Sequence, residues 1–353
     1  NTAYGASQQF TTLPAPVVVA GMSAQCTSNS ECPSNLCSTD AVDPNNRRCV
    51  PNELTTAAGG AMEFRYVPAT GPSGYTQGVG AGPSTFTSIL ENAYFVSRTE
   101  VTQGQWKAAT GGTNPSCFQS TSGTSCGSAN ANDAGPVELV NWWSAAAYAN
   151  WMSDQAGLSR CYTFAPVNWD RTVSNWAGGA AEPTSVTWGD AACDGYRLLT
   201  ESEWEWAARG PVASGSLVTL FYWGDGYDTA YVWGTNAGGR TQPVGGKLAN
   251  AYGLRDMSGN VWEWAWDLNG GYPSGTQTNY AGAVTGSSRS VRGGSFYDDG
   301  GVVSSSFRYP FGAGTLRNTV GFRLGRTAPP PPPSALGEAC TANDECASGL
   351  CST

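Results

Sequence analysis

The chain has 353 residues, a formal net charge of −9, no His, 14 Trp, 46 Gly, and only 13% charged residues, about half the ~25% usual for soluble domains. It has no Lys/Arg-rich run and no apolar stretch near the ~18 residues of a membrane span, which argues against nucleic acid, anionic membrane surfaces and a membrane span. Without His, Ser-His-Asp and Cys-His catalysis and any His-ligated zinc or iron are excluded.

Residues 1–25 read as an N-terminal arm rich in Ser, Thr, Ala and Val, with VVVA at 17–20 as a short strand or extended segment. The chain opens without Met or a charged-then-apolar leader, which fits a processed secreted end. Residues 26–50 form a Cys-rich module with Cys26, Cys32, Cys37 and Cys49. Residues 60–326 form one long segment dense in Trp, Tyr and Gly. In it, PVELVNWWSAAAYANWMSDQAGL carries apolar residues near helical spacing, with Gly157 as its C-terminal stop. LLTESEWEWAARG opens with Thr200 and has Glu203 three residues on, the signature of a capping box, and ends at Gly210. FRYV, YFVSRTEV, RSVRGGSF and VGFRL read as short strands. Two helices among many short strands and long loops predict an irregular α+β domain. Residues 327–337 hold Pro329 to Pro333, a stiff polyproline spacer. Residues 338–353 hold Cys340, Cys346 and Cys351 in the same C-x5-C-x4-C spacing as the first module, an incomplete second copy.

Thiolate zinc sites usually show C-x2-C hooks, and these modules have none, so their cysteines read as disulfides in an oxidising compartment. In the central segment the expected pairs are Cys117–Cys126, which brackets a polar loop, and Cys161–Cys193, which closes an insertion. Other pairings remain open.

A series of blocks runs in order through the central segment: SRTEVTQGQW (97–106), PVELVNWWSAAAYANWMS (136–153), DGYRLLTESEWEWAARG (194–210), YWGD (222–225), AYGLRDMSGNVWEWAWD (251–267), SVRGGSF (290–296) and NTVGFRL (318–324). The series resembles the formylglycine-generating-enzyme (sulfatase-modifying-factor) family and covers three-quarters of the chain. The resemblance implies a C-type-lectin-like fold with little regular secondary structure. Arg292, Arg308 and Arg323 are expected in buried ion pairs with the family's carboxylates, here Glu100, Glu203 or Glu263. The Gly293–Gly294 pair is expected to allow a close backbone approach.

The family's oxidase chemistry uses two cysteines between the GGS strand and the last GFR strand, as copper thiolates. The corresponding interval, 296–320, contains no Cys; the two positions fall near Gly300 and Ser305. Iron-dependent relatives use three histidines, which the chain lacks. The reading is therefore of a protein that is not an enzyme and holds no copper, haem or nucleotide. The resemblance does imply structural calcium at Ser258, Gly259, Asn260, Val261 and Glu263, oxygen donors suited to a hard cation. A second family calcium site is poorly matched at Ala230-Tyr231-Val232.

Three functions follow. The first is a noncatalytic extracellular module that binds a protein or glycan through Tyr297, Asp298, Asp299, Arg308 and Tyr309. Segment 297–317, rich in Tyr, Ser, Gly and Asp, has the composition of an adaptable binding loop, and it is similar to the ligand-binding loop of the family's variable proteins. The second is a subunit of an extracellular fibre or surface layer that associates with itself through its Cys-rich ends or by strand addition of its arm. The third is a residual enzyme using the Asp298–Asp299 pair in acid–base work.

Overall fold

The computed structural model describes residues 61–80, 84–119, 126, 133–177, 182–189, 193–210 and 218–328, and the backbone of 37–39, 47–49, 52–57 and 60. The N-terminal arm, the proline run, Cys26, Cys32, Cys340, Cys346 and Cys351 lie outside the described residues. Cys37 and Cys49 face each other in register across the first strand pair.

In chain order the strands and helices begin with β1 (Cys37–Thr39), β2 (Arg47–Cys49), β3 (Asn52–Ala57), β4 (Gly60–Val67), β5 (Tyr75–Gln77), β6 (Phe86–Ile89) and β7 (Tyr94–Ser97). Helices α1 (Gln103–Thr110) and α2 (Trp142–Gln155) follow, then β8 (Tyr162–Ala165), α3 (Val173–Ala177), β9 (Ser185–Trp188), β10 (Tyr196–Arg197) and α4 (Glu201–Arg209). The C-terminal half adds β11 (Trp262–Leu268), β12 (Thr276–Thr278), β13 (Ser288–Arg292), β14 (Arg308–Gly312), β15 (Val320–Gly321) and β16 (Gly325–Thr327). Two sheets dominate: β10-β16-β7-β4-β3 and β14-β13-β11-β15. Strand β3 pairs with β4 along its whole length, so the larger sheet reaches back to Asn52, before the boundary expected at residue 60. Short strands, long connections and few helices give the irregular α+β architecture expected.

Both anticipated helices form where their caps place them. Asn141 Oδ1 accepts the Ser144 N–H at 2.9 Å to start α2. Gly157, at φ +67°, follows the helix end, a left-handed position that favours glycine. In α4, Thr200 Oγ1 accepts the Glu203 N–H at 3.1 Å and Glu203 accepts the Thr200 N–H at 2.9 Å, the reciprocal pair expected from T-x-x-E. A comparable helix was not anticipated: Thr102 and Gln105 make the same box at the start of α1. Its T-x-x-Q signal lies inside a block whose first residues read as strand. The strand itself stops at Ser97.

The core is aromatic. Trp106 stacks on Tyr148 with centroids 5.6 Å apart, and Trp176 meets Trp106 edge-on at 5.3 Å. Two buried indoles donate across the core: Trp142 Nε1 to Ala265 O and Trp264 Nε1 to Val140 O, both at 2.9 Å. These two bonds join the start of α2 and the residue before its cap to β11, so the helix and the smaller sheet are fixed by polar contacts as well as by packing. Disulfides Cys117–Cys126 and Cys161–Cys193 are both formed, as expected.

Candidate functional site

Helix α4 organises the region around the expected binding loop. Every residue of α4 is buried. Its three glutamates, at alternate positions, point in different directions around the helix and each receives at least one arginine. Glu201 pairs with Arg308 at 3.1 Å. Glu203 receives two bonds from Arg197, each 2.6 Å. Glu205 takes Arg292 at 2.6 Å and Arg209 at 2.8 Å, and also accepts the Gly78 N–H. A further pair, Arg323–Glu263, is bidentate at 2.6 and 2.7 Å. All three expected arginines are thus paired, with Glu263 among the expected carboxylates. Glu203 instead serves Arg197, and Glu100 accepts from Asn260 Nδ2 at 3.0 Å.

Arg292 carries this frame into the loop. Its Nη1 donates to Ser306 O and Phe307 O, and its Nη2 to Ser305 O. Before the loop, Gly293 and Gly294 have φ of +90° and +77°. A Cβ at Gly294 would lie 2.6 Å from Val303 Cγ1, which is the close approach expected of this pair.

The five expected ligand-binding residues differ in exposure and in what they contact. Tyr297 is 57% exposed and leans on Phe296 at 4.4 Å; Phe296 is itself buried against Phe118. Tyr309 is 47% exposed on edge strand β14, beside Trp262 and Phe311. Asp299 is exposed. Asp298 and Arg308 depart from the expectation. The Asp298 carboxylate turns inward and accepts from both the backbone N–H and the hydroxyl of Ser295. Arg308 reaches Glu201 and lies over the Tyr272 ring at 4.4 Å. Strand alternation puts neighbours 308 and 309 on opposite faces, so Arg308 supports the surface that Tyr309 presents. Asp298 thus holds the turn, while its neighbour Asp299 is exposed.

A residue not anticipated joins Tyr297 and Asp299. Tyr227 is 38% exposed. A Cβ at Gly234 would meet both the Tyr227 hydroxyl and Asp298 O, at 2.8 and 2.3 Å, so the tyrosine and the loop approach each other across that glycine. Burial and the nearby Asp299 charge both raise the Tyr227 phenol above its ordinary value. Behind it, Phe221, Trp223 and Tyr231 stack in sequence, with spacings of 4.6 and 4.8 Å. Only their place in a Trp/Tyr-rich stretch signals them in sequence.

The donors implied for metals do not fit as arranged. In the loop Ser258–Glu263, Asn260 Oδ1 accepts the Gln242 N–H. Both Glu263 oxygens accept from Arg323, and one also from Trp204 Nε1. Ser258 O accepts from Trp233 N, and the Gly259 N–H is spent on Gly293 O. Glu263 is therefore the counter-ion of Arg323 here, and of the expected calcium set of Ser258, Gly259, Asn260, Val261 and Glu263, the oxygens of Ser258, Asn260 and Glu263 accept protein hydrogen bonds. In the loop where thiolates would hold copper, Ser304, Ser305 and Ser306 turn their hydroxyls inward. Hydroxyl oxygens are poor ligands for a soft Cu(I) ion.

The model of the sulfatase-modifying factor enzyme 1-like domain matches residues 39–328. The chain is 26% identical over 296 residues to a Paenibacillus barcinonensis protein named chaperone protein LppX, covering 79% of this chain and 90% of that one. It is 36% identical over 149 residues to the formylglycine-generating enzyme of Mycobacterium tuberculosis, covering 37% of this chain and 44% of the enzyme, less than half of that relative's length. Among solved structures, Treponema denticola variable protein 1 superposes with a TM-score of 0.66 at 28% identity, covering 79% of this chain and 100% of that one. The intact block series, the capped α4 with its arginine partners and the match across residues 39–328 together place the chain in the sulfatase-modifying factor enzyme 1-like family.

Proposed function

We propose that this protein is a noncatalytic extracellular binding scaffold that presents Tyr227, Tyr297, Asp299 and Tyr309 to a protein or glycan ligand. The observation that carries the reading is the contrast between loop and frame. Exposed tyrosines and one exposed carboxylate stand on a base held by buried Arg–Glu pairs, while the loop has no Cys, with Gly300 and Ser305 near the positions where the family's chemistry uses thiolates. Tyrosine gives large contact area for little loss of side-chain freedom, and both sugars and peptides bind such surfaces. The names of two relatives, a chaperone and a variable protein, support binding over catalysis. The two internal disulfides support an oxidising, extracellular location.

Assembly into a fibre is supported less well at this face. Edge strand β14 carries Pro310, which has no N–H to offer an added strand. Screening the purified protein against glycan and peptide arrays tests the binding reading. For any ligand found, Tyr297→Ala combined with Tyr309→Ala should weaken binding by tenfold or more while the melting temperature stays unchanged. Undiminished binding in that double variant would move the site elsewhere.

A further inference from the structure

A second face carries a different chemistry. A cleft of about 340 Å³ is lined by Ala61, Met62, Glu63, Arg98, Thr99, Gln105, Val244, Gly245 and Arg255, a size at the lower end of small-ligand pockets. Backbone hydrogen bonds set its charged residues side by side. Arg98 N–H donates to Glu63 O at 2.7 Å, and Arg255 N–H to Arg98 O at 2.8 Å. Arg65, two residues along β4 from Glu63, shares the Glu63 face of that strand. It lies against Gly253, where a Cβ would come within 2.9 Å of its Nε.

Two guanidinium groups, those of Arg65 and Arg98, therefore converge on the Glu63 carboxylate of the cleft. Glu63 pairs with both Arg65 and Arg98, the latter at 2.7 Å. Arg255 finds only the carbonyls of Gly245 and Lys247. Beneath it, Asp256 is shared with Arg323 and hydrogen-bonded to Gly245 N. On each of the three arginines the Nε is buried without a partner. The Arg65 guanidinium is held below its ordinary value, first by burial and further by Arg98 and Arg255, with Glu63 offsetting part of this. In a chain of net charge −9 with only 18 Lys and Arg, a cleft with this surplus of cations needs an explanation.

We infer that the cleft binds a small organic oxyanion, its carboxylate, sulfate or phosphate group held by Arg98 and Arg255, with Arg65 keeping Glu63 in place behind them. Guanidinium forks match the geometry of such groups. Val244 supplies apolar contact for a short carbon body beside the anion, and Thr99 supplies polar contact. In the ligand-free protein Glu63 holds the place of that anion, as an internal competitor. This site is separate from the tyrosine surface and does not depend on it.

Thermal shift and calorimetric titration with sodium sulfate, sodium phosphate and sodium glucuronate, each against sodium chloride at equal ionic strength, test the inference. The expected result is a saturable rise in melting temperature with at least one of the three; the ranking separates an inorganic anion from an acidic sugar. Arg98→Met, at a partly exposed position that tolerates the change, should weaken binding about tenfold. Glu63→Gln should tighten it by removing the competitor, an effect opposite to that of a merely damaged fold. Arg240→Ala, at an exposed arginine outside the cleft lining, should leave binding unchanged. The inference is overturned by a response that matches sodium chloride, by equal binding in Arg98→Met, or by no gain in Glu63→Gln.

Discussion

Arg323 and Glu263 are each about 1% exposed and meet through two short hydrogen bonds. A buried pair of this kind adds little net stability over an apolar substitute, but removing one partner leaves a charge without compensation. Glu263→Ala should therefore destabilise the protein by roughly 3–5 kcal/mol, read from urea unfolding midpoints. By the same geometry, millimolar calcium or a chelator should leave the melting temperature unchanged. A calcium-dependent rise abolished in Asn260→Ala would show that the loop rearranges to hold the ion. The pairing of Arg323 was legible from residue type, because a charge-poor chain has few partners for a buried arginine. The inward turn of Asp298 was not: Ser295-x-x-Asp298 is a local turn, and its side-chain bonds depend on the left-handed glycines before it. Arg308 was expected both in an ion pair and at the ligand surface; it pairs with Glu201, and strand alternation sets it on the face opposite Tyr309.

Helix α4 shows how a short pattern can define an element. The T-x-x-E box, the alternate glutamates and the terminal Gly210 were all visible, and each does in the structure what its position implies. Thr200→Ala removes the cap acceptor and should cost about 1 kcal/mol, measured by chemical denaturation. The Glu203 backbone N–H then loses its acceptor, while the Glu203 carboxylate keeps the Thr200 backbone N–H and Arg197. Helix α1 has an equivalent box at Thr102 and Gln105, yet was not anticipated, because it follows directly on YFVSRTEV, which reads as a strand. The basic cleft was illegible for another reason. Arg65, Arg98 and Arg255 have no common spacing, and only the pairing of β4 with β7 and the return of the chain at Arg255 bring them together.

Across the whole molecule, several carboxyl groups are buried with too few donors. Burial raises Glu138 to about 7 and Asp256 to about 6, and pushes Glu100 and Asp267 upward as well. Each binds its proton more tightly folded than unfolded. Their stabilising contribution is therefore complete below the ordinary carboxyl values and is lost as pH rises through the folded values. The protein should melt at a higher temperature near about pH 5 than near about pH 8. Glu138→Gln should flatten that dependence toward its upper end, because one Glu138 oxygen accepts the Phe118 N–H while the other has no partner. Breaking Cys161–Cys193 by a double Ser substitution should cost roughly 3–4 kcal/mol from freed loop entropy, again measured by denaturation. The block order made the overall fold legible, because seven separated motifs constrain it far more than any one helix or strand. The tyrosine surface was legible only in part, since Tyr227 reaches it from a distant segment across Gly234. The central claim is that the family's frame has been kept for binding while its thiol chemistry is gone. The direct test is to incubate the protein with Cu(I), oxygen and a cysteine-containing peptide and examine the peptide by mass spectrometry. The account predicts no conversion of the cysteine to an aldehyde above a protein-free control; copper-dependent aldehyde formation at catalytic turnover would contradict it.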